Sequence, residues 1–533
     1  MYTNVYYQKR FWWLLLAVAG LLFLHLGAAP VYILDEAKNA QCAREMWHAG
    51  AWVVPTFNGD LRTDKPALHY WFMHVAFSMF GDGAWQARFF SAIMGIGTVL
   101  ITFLFVRKLS TATHAFFSAL ALALSTHFLF EFRLAVPDPY LIFFTALGLF
   151  SALQYLQQKS TWWLLATAAS LALATLAKGP VALGLPGIVI LLYVVIRKQW
   201  WVLTDVRLLL AAVVYTGIAA PWYWAVHQAT QGAFTQGFFL EHNLSRFSSE
   251  MEGHGGPFFV TILIVLIGML PFSTHIASLA GLMRRKPMSD LVLFSLLVSL
   301  VYILFFTISS TKLPNYPMPC YPFVAVLLGY LLTEILHGNA TWKKYTWWVL
   351  GIIGLALPIG GFVALGMEPE TAPYRWWALG LLVLPVGILL AALRPQSKPG
   401  NAIAWLAGTY LLFNTFFLAI AYPLVYQQNP VTLLQPILNK GKNTVVAYKD
   451  FNPAFLFNAK NPGFRIQVFT DTAELHKFCS AFSAQNKSPV YIISRTDKLL
   501  ELNTLPLLEI ARKRDLFEIP TTVLLQWKAN FEN

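Results

Sequence analysis

Residues 11–36 read FWWLLLAVAGLLFLHLGAAPVYILDE, an apolar run that ends in the acidic pair Asp35-Glu36. A helix that spans a bilayer needs about 20 apolar residues, and this run supplies them. Lys9 and Arg10 precede it, and residues 27–29 are small, as at a signal-peptide cleavage site. The apolar run is nevertheless longer than that of a typical signal peptide. We therefore predict an uncleaved first membrane helix with the acidic pair at its outer end.

The whole chain has the composition of a membrane protein. Of its 533 residues, 57% are hydrophobic and 12% are charged, against about 45–50% and about 25% in an ordinary soluble domain. This excludes a soluble enzyme, and 15% aromatic residues exclude an intrinsically disordered chain. In a membrane protein the net charge of +13 first reports orientation, so no nucleic acid partner is predicted. Cys42, Cys320 and Cys479 have neither disulfide nor metal-ligand spacing.

The hydrophobic pattern predicts a polytopic α-helical membrane protein with about thirteen transmembrane helices. Their approximate bounds are 11–29, 87–106, 113–130, 139–157, 161–177, 180–196, 208–226, 258–277, 289–308, 317–336, 346–366, 374–393 and 402–423. Alternate loops are basic, with Lys9/Arg10, Arg107/Lys108, Lys159, Arg197/Lys198/Arg207, Arg284/Arg285/Lys286, Lys343/Lys344 and Arg394/Lys398. By the positive-inside rule these loops are cytoplasmic, which places the tail beyond 429 outside.

The outward loops and the tail are predicted to have structure of their own. In the first loop, Asp35–Trp47 and Lys65–Phe80 are amphipathic and typical of helices that lie in the membrane interface. The tail alternates β-rich runs with a helical stretch, which predicts a small α/β domain over 429–533 next to a transmembrane domain over 1–428. Its strands are predicted at Asn443–Lys449, Phe464–Thr470, Val490–Ser494 and Thr522–Trp527, and its helix at Thr472–Phe482.

Titratable residues that orientation does not explain collect in the outward loops. They are Asp35, Glu36, Lys65, Arg133, Asp138, Lys178, Arg246 and Lys312. Each cation could be a snorkelling anchor, and Asp35 could simply stabilise a helix start. Lys178 and Lys312, however, stand in short Lys-Gly-Pro and Lys-Leu-Pro turns that aim a side chain. Several cations around one water-accessible cavity fit a lipid-linked phosphate or pyrophosphate better than a neutral ligand.

Together these segments resemble the bacterial branch of the protein O-mannosyltransferase superfamily, most closely its lipid A aminoarabinose transferases. In chain order the matching segments are Asp35–Lys38, Asp64–Trp71, Arg133 with Asp138, Ala177–Pro180, Asn243–Phe247 and Lys312–Tyr316. The resemblance implies the GT-C glycosyltransferase architecture and the transfer of a sugar from a polyprenyl-phosphate (undecaprenyl-phosphate) carrier. It also implies that Asp35 is the central acidic residue and that Lys65 and Arg246 contact the carrier phosphate.

The chain departs from the pattern of this family at several positions. Lys38-Asn39 stands where the family often has Arg-Tyr, and Ala67 stands where it often has a second proline. Asp64 and His242 each stand where it often has glutamate. Because these positions shape the sugar and acceptor pocket or a metal contact, the identity of the sugar and the use of a divalent metal stay open. No cofactor is assigned.

The predicted function is inverting transfer of a sugar to a glycolipid, such as lipid A or another cell-envelope lipid or glycan, at the periplasmic face of the bacterial inner membrane. Transfer to protein, as in protein O-mannosylation, stays open, as does a flippase or transporter for a lipid-linked sugar. A transporter would place ionisable residues near the bilayer midplane and show repeated halves, which the sequence does not. The predicted catalytic residues are Asp35 and Asp138. The predicted substrate-binding residues are Glu36, Lys38, Asp64, Lys65, Arg133, Lys178, His242, Arg246, Lys312 and Tyr316.

Overall fold

A computed structural model describes residues 2–240, 256–285, 287–394, 398–440, 443–461, 463–486, 488–516 and 520–528. The chain forms a large helical bundle followed by a small sheet. The α-helices are Tyr2–Phe23, Leu34–His48, Leu68–Phe80, Ala84–Leu109, Ala112–Leu124, Thr126–Glu131, Asp138–Gln158, Thr161–Lys178, Val181–Ile196, Arg207–Ala229, Ala233–Gln236, Val260–Gly268, Ile276–Arg285, Asp290–Ile308, Tyr321–Leu336, Lys344–Met367, Val383–Ala392, Pro399–Phe416, Tyr422–Tyr426, Pro430–Leu438, Ala454–Phe457, Thr472–Gln485 and Leu499–Leu502. Shorter 3₁₀ or π turns connect several of them, at Trp200–Thr204, Phe272–His275, Met318–Cys320, Ala372–Leu382, Phe417–Ala421 and Thr496–Lys498.

Eight helical segments of the described chain are long and apolar enough to cross a bilayer, or nine with one bent pair of helices. A multi-pass membrane protein is therefore confirmed, but the count of thirteen is not, although every predicted span coincides with one or more helices. The predicted span 113–130 is divided at Ser125, whose hydroxyl caps the following helix by accepting the Phe128 N–H. The predicted span 258–277 is divided into two helices, and the chain bends by 115° between them.

Two antiparallel helices at the centre of the bundle position the candidate site. Asp138–Gln158 is buried along most of its length and packs against Thr161–Lys178. Lys344–Met367, in contrast, exposes large apolar side chains such as Trp348 and Ile352, as expected of a surface that faces lipid. Since the two central helices are antiparallel, the first residue of one and the last residue of the other lie at the same end of the bundle.

Both amphipathic stretches of the loop that follows the first helix are themselves helices, at Leu34–His48 and Leu68–Phe80. Between them a short hairpin pairs Thr56 with Leu61 and Phe57 with Asp60. The helix Leu34–His48 buries most of its residues between the bundle and the tail. It is therefore a packed structural element rather than a helix with one face in water.

The tail contains a five-stranded mixed sheet with the strand order Gln467–Phe469, Thr444–Tyr448, Val490–Arg495, Thr521–Trp527 and Leu507–Arg514. The first three strands are parallel, and the last two pair antiparallel. The four predicted strands and the predicted helix are present, the helix as Thr472–Gln485. The strand Leu507–Arg514 was not predicted, because its second half, Ala511-Arg512-Lys513-Arg514, is mostly charged and lies at the edge of the sheet. The boundary at 428/429 stays a prediction.

Arg44 fastens the helix Leu34–His48 to the tail. Its guanidinium is buried and donates hydrogen bonds to the carbonyls of Leu456, Phe457 and Ala459 at 3.0–3.3 Å. Its Nε also lies 2.5 Å from the Asp82 carboxylate. Through these contacts, the helix whose first turn carries Asp35 is held from the tail side as well as from the bundle.

Candidate active site

Asp35 lies in the first turn of the helix Leu34–His48, where a carboxylate interacts favourably with the helix dipole. Its side chain is 48% exposed, so its carboxylate is accessible to solvent. Asn39, one turn further on, donates a hydrogen bond from Nδ2 to the Asp35 carbonyl at 2.9 Å. Asn39 Oδ1 accepts hydrogen bonds from His69 Nε2 at 3.2 Å and from the Tyr70 hydroxyl at 3.3 Å. This network fixes the turn that carries Asp35.

Three cations act on the Asp35 carboxylate. Arg62 Nη2 lies 3.9 Å from Asp35 Oδ1, and Lys65 and Lys178 contribute from two other segments. Burial would raise the pKa of Asp35, but the charges of Lys65, Arg62 and Lys178 together hold it below its ordinary value. Asp35 is therefore ionised at neutral pH, which is the form that a general base requires.

Asp138 and Lys178 form an ion pair at this end of the two central helices. The distance between Lys178 Nζ and Asp138 Oδ1 is 2.5 Å, and Nζ also lies 4.9 Å from the centre of the Tyr316 ring. Gly179 has a φ of +91° and ends the helix, so Lys178 is held at a sharp turn, as predicted. The other Asp138 oxygen, Oδ2, is buried and accepts no hydrogen bond from a described residue. The catalytic role of Asp138 stays a prediction, and its observed contact is with Lys178.

Glu36 points into the protein interior, in contrast to the partly exposed Asp35. It is 0% exposed, and its two carboxylate oxygens accept hydrogen bonds from Arg88 Nε at 2.7 Å and Nη2 at 2.8 Å. Glu36 Oε1 also accepts the backbone N–H of Ala135 at 2.9 Å. The predicted substrate contact of Glu36 does not fit this arrangement, because both oxygens of the buried Glu36 carboxylate are paired with Arg88. Glu36 instead ties the helix of Asp35 to the bundle.

We expect Arg88→Met to lower the stability of the protein by about 3–5 kcal/mol, because it leaves the buried Glu36 carboxylate without its partner. Arg88 also donates to the carbonyls of Leu26 and Ala29 at 2.9 and 2.7 Å. The measurement is thermal unfolding of the detergent-purified protein. The matched control is Arg107→Met, an exposed arginine on the same helix, and equal unfolding midpoints for the two variants would contradict the structural role of Arg88.

The side chains of two further predicted binding residues donate hydrogen bonds to backbone carbonyls. Arg133 Nη1 donates to the Leu21 carbonyl at 2.5 Å, and Arg133 Nη2 donates to the Leu418 carbonyl at 3.3 Å. Lys312 Nζ donates to the Ser309 carbonyl at 2.8 Å, within its own turn. Arg133 thus joins the end of the first helix to the turn Phe417–Ala421, which is a structural role that spacing alone did not predict. Substrate contacts of both residues stay predictions.

The remaining predicted residues differ in how well the structure places them. Asp64 Oδ2 lies 3.3 Å from Arg62 Nε, at 30% side-chain exposure. Lys38 is half-buried, one turn beyond Asp35 on the same helix. His242 and Arg246 lie outside the described residues, so their predicted contacts with substrate stay predictions.

Three site residues were not predicted from the sequence. Arg62 precedes the Asp64-Lys65 pair by two residues, and this proximity is the one sequence signal that could have found it. His69 lies within the Asp64–Trp71 segment, but the sequence predicted no role for it. Glu131 is buried, and its Oε1 accepts no hydrogen bond from a described residue, although Asp138 and Lys178 are near enough to influence it. Only the folded chain brings Glu131 close to Asp138 and Lys178.

The described ranges contain no group of three or more histidine, cysteine, aspartate or glutamate side chains that could hold a metal ion. The donor set around Asp35 is instead rich in cations, which repel a metal.

Comparison with known proteins agrees with this geometry. The family described as dolichyl-phosphate-mannose-protein mannosyltransferase matches residues 64–224, a segment that includes Lys65, Asp138 and Lys178. An undecaprenyl phosphate-alpha-4-amino-4-deoxy-L-arabinose arabinosyl transferase of Pseudomonas aeruginosa is 28% identical over 374 residues, or 67% of this chain and 65% of its own length. The chain thus spans just under two thirds of that relative.

Solved structures match nearly the whole chain. The structure of ArnT from Cupriavidus metallidurans bound to undecaprenyl phosphate superposes with a TM-score of 0.82 at 22% identity, and the match covers 97% of this chain and 98% of that one. The protein has the GT-C fold. An oligosaccharyltransferase of Archaeoglobus fulgidus matches with a TM-score of 0.52 at 14% identity, over 93% of this chain and 70% of its own. The resemblance predicted from the sequence is confirmed, and in this GT-C fold Asp35 lies near Lys178, at the end of the two central helices.

Proposed function

We propose that the chain is an integral-membrane glycosyltransferase that transfers a sugar from a polyprenyl-phosphate carrier to a glycolipid acceptor. The observation that carries the proposal is the partly exposed, ionised Asp35 carboxylate with Lys65 and Lys178 close by, at one end of a GT-C bundle. The names of the P. aeruginosa relative and of the C. metallidurans structure support an undecaprenyl-phosphate donor.

The chemistry follows from the charges at the site. When the bond between the anomeric carbon and the carrier phosphate breaks, the phosphate gains negative charge, which Lys65 and Lys178 offset. On the opposite side, Asp35 takes the proton of an acceptor hydroxyl while the acceptor oxygen forms the new bond to the anomeric carbon. One displacement of this kind inverts the anomeric centre. If the acceptor is a phosphate, which is already ionised, Asp35 orients it or the sugar instead.

An apolar groove beside Lys178 offers a place for the carrier tail. It runs between the helices Thr161–Lys178, Val181–Ile196 and Arg207–Ala229, and its lining includes Thr175, Pro180, Leu183, Tyr215, Tyr223 and Phe239. Thr175 and Pro180 are within three residues of Lys178, so a lipid in this groove would present its phosphate near the Lys178 ammonium. A groove open to the membrane suits a substrate that is never free in water.

We further propose that the site faces the periplasm of a bacterial inner membrane. The basic loops that the sequence assigns to the cytoplasm contact one another: Arg207 Nη1 donates to the Lys159 carbonyl at 2.6 Å, and Arg197 Nη2 donates to the Met288 carbonyl at 3.0 Å. They lie at the ends of the central helices opposite to Asp138 and Lys178. The positive-inside rule then places Asp35 outside.

The acceptor can be identified by comparing a deletion strain with its parent by mass spectrometry of lipid A, surface glycans and periplasmic glycoproteins. We expect a sugar substituent to disappear from lipid A or another envelope glycolipid, and to return when the gene is restored. A sugar that disappears only from proteins would replace the glycolipid with a protein acceptor. An unchanged glycan and lipid profile in conditions where the gene is expressed would contradict the proposed function.

A further inference from the structure

Arg62 is buried between two carboxylates in the first outward loop. Its side chain is 4% exposed, its Nε lies 3.3 Å from Asp64 Oδ2, and its Nη2 lies 3.9 Å from Asp35 Oδ1. The backbone N–H of Arg62 donates to the Pro55 carbonyl at 3.0 Å, which fixes the chain on which the guanidinium stands. The result is a chain of charges, Asp64–Arg62–Asp35, that ends at the partly exposed Asp35 carboxylate.

This arrangement is poor for stability alone. Arg62 Nη1 and Nη2 are buried and donate no hydrogen bond within acceptable distance to any residue that the structure describes. A buried guanidinium with unused donors carries a desolvation penalty that a loose ion pair does not offset. A role in the reaction explains why the Arg62 charge is placed beside Asp35, which is the partly exposed carboxylate of the site.

We propose that Arg62 is a positioning residue that keeps the Asp35 carboxylate ionised and oriented, through a chain of charges in which the buried Arg62 guanidinium stands between Asp64 and Asp35. This inference rests on the proposed function, because it concerns the residue that acts on the acceptor. Asp64, predicted as a substrate contact, becomes the tether that orients the guanidinium.

Arg62 differs from the lysines in what happens during a reaction cycle. Lys65 and Lys178 also act on Asp35, but their charge is offset when they contact the phosphate of the carrier. An arginine does not lose its proton in a protein, and Arg62 is held by Asp64 on its other side. Its charge therefore acts on Asp35 whether the carrier is bound or absent.

The other groups that face Asp35 do not replace this charge. His69 is buried, and burial together with the neighbouring cations Arg62 and Lys65 lowers its pKa well below the ordinary value, so it is neutral. Glu131, from the helix Thr126–Glu131, adds no positive charge. With Lys65 and Lys178 engaged, Arg62 is the cation that opposes the effect of burial, which by itself would raise the pKa of Asp35.

The test compares Arg62→Met, which removes the charge but fills the space, with Arg62→Lys, which keeps the charge but loses the fork. Falling pH protonates Asp35, so activity is lost on the acid side. We expect Arg62→Met to move this acid limb of the kcat profile to higher pH and to lower kcat roughly tenfold at mildly acidic pH. Arg62→Lys should keep the acid limb close to that of the unaltered protein, and Arg107→Met, an exposed control, should change neither.

A second readout does not depend on transfer. Carbodiimides modify protonated carboxyl groups, so the extent of Asp35 modification against pH, measured by peptide mass spectrometry, reports its ionisation directly. We expect Asp35 to be modified at higher pH in Arg62→Met than in the unaltered protein or in Arg62→Lys. If the unaltered protein transfers no sugar, the proposed function fails while this result still decides the role of Arg62.

Two outcomes would overturn the inference. One is an acid limb and a modification profile that Arg62→Met leaves in place, even if the variant unfolds at lower temperature. The other is polyprenyl-phosphate binding weakened as much as by Lys65→Met with unchanged Asp35 modification, which would make Arg62 a ligand contact. If Arg62→Met does not fold, Arg62→Gln removes the same charge: modification of Asp35 at higher pH in that variant supports the inference, and modification at the pH of the unaltered protein overturns it.

Discussion

Asp35→Asn is expected to give a folded protein whose sugar transfer is slower by at least ~10²-fold, because asparagine cannot take the proton of an acceptor hydroxyl. The substitution keeps the size of the side chain, and the Asn39 contact to the Asp35 carbonyl is a backbone contact that it leaves in place. The measurement is the initial rate of transfer by purified protein with saturating donor and acceptor.

The matched control is Asp60→Asn, the same chemical change at an exposed position of the neighbouring hairpin. It should retain the transfer rate. A rate for Asp35→Asn close to that of the control would return Asp35 to the simpler role of stabilising the start of its helix.

Lys65→Met is expected to weaken the binding of polyprenyl phosphate by roughly 10- to 150-fold, since a hydrogen bond to a charged group contributes about 1.5–3 kcal/mol. Lys178→Met should weaken it as well, and Arg246→Lys should weaken it because the two-pronged contact of arginine with phosphate is lost. Binding can be measured by the change in intrinsic fluorescence or by calorimetry in detergent.

Lys343→Met and Lys344→Met are the controls for net charge. Both lysines are exposed and are assigned to the cytoplasmic side, so they should leave binding unchanged. If the site variants and the two controls weakened binding equally, the charge of +13 would act as a general attraction to anionic lipid, and the outward phosphate site would have to be abandoned.

The helices of the bundle could be predicted from the sequence because an apolar run of span length has few alternatives to a helix. The length of each helix could not. Whether 113–130 is one helix or two depends on the Ser125 hydroxyl, which caps a new helix and also donates to the Gly268 carbonyl at 2.6 Å. That second partner is 143 residues away in the sequence, and its proximity is a property of the folded chain.

Only part of the site could be predicted from the sequence, for a similar reason. The charges of Lys65 and Lys178 act on Asp35, and the sequence assigned all three residues to loops on the same side of the membrane. The sequence did not show that the adjacent Glu36 has the opposite orientation, because its partner Arg88 is 52 residues further along the chain. Arg133 likewise resembled a free cation until its backbone partners on two other segments were known.

The charged edge strand Leu507–Arg514 shows the same limit in the tail. This segment is a strand because its backbone pairs with Thr521–Trp527, and its charged composition alone did not predict that pairing. Arg514 also lies 3.0 Å from Glu368, on a loop of the bundle. Charged residues that resembled a solvated loop are thus part of a contact between sheet and bundle.

We expect this chain to break the bond between a sugar and its polyprenyl phosphate. The most direct measurement uses purified protein in liposomes with a polyprenyl-phosphate sugar labelled in the sugar and with lipid A as acceptor. We predict equal amounts of labelled acceptor and free polyprenyl phosphate, with both lost in Asp35→Asn. Donor that stays intact and only exchanges between the two leaflets would contradict the claim and identify a flippase instead.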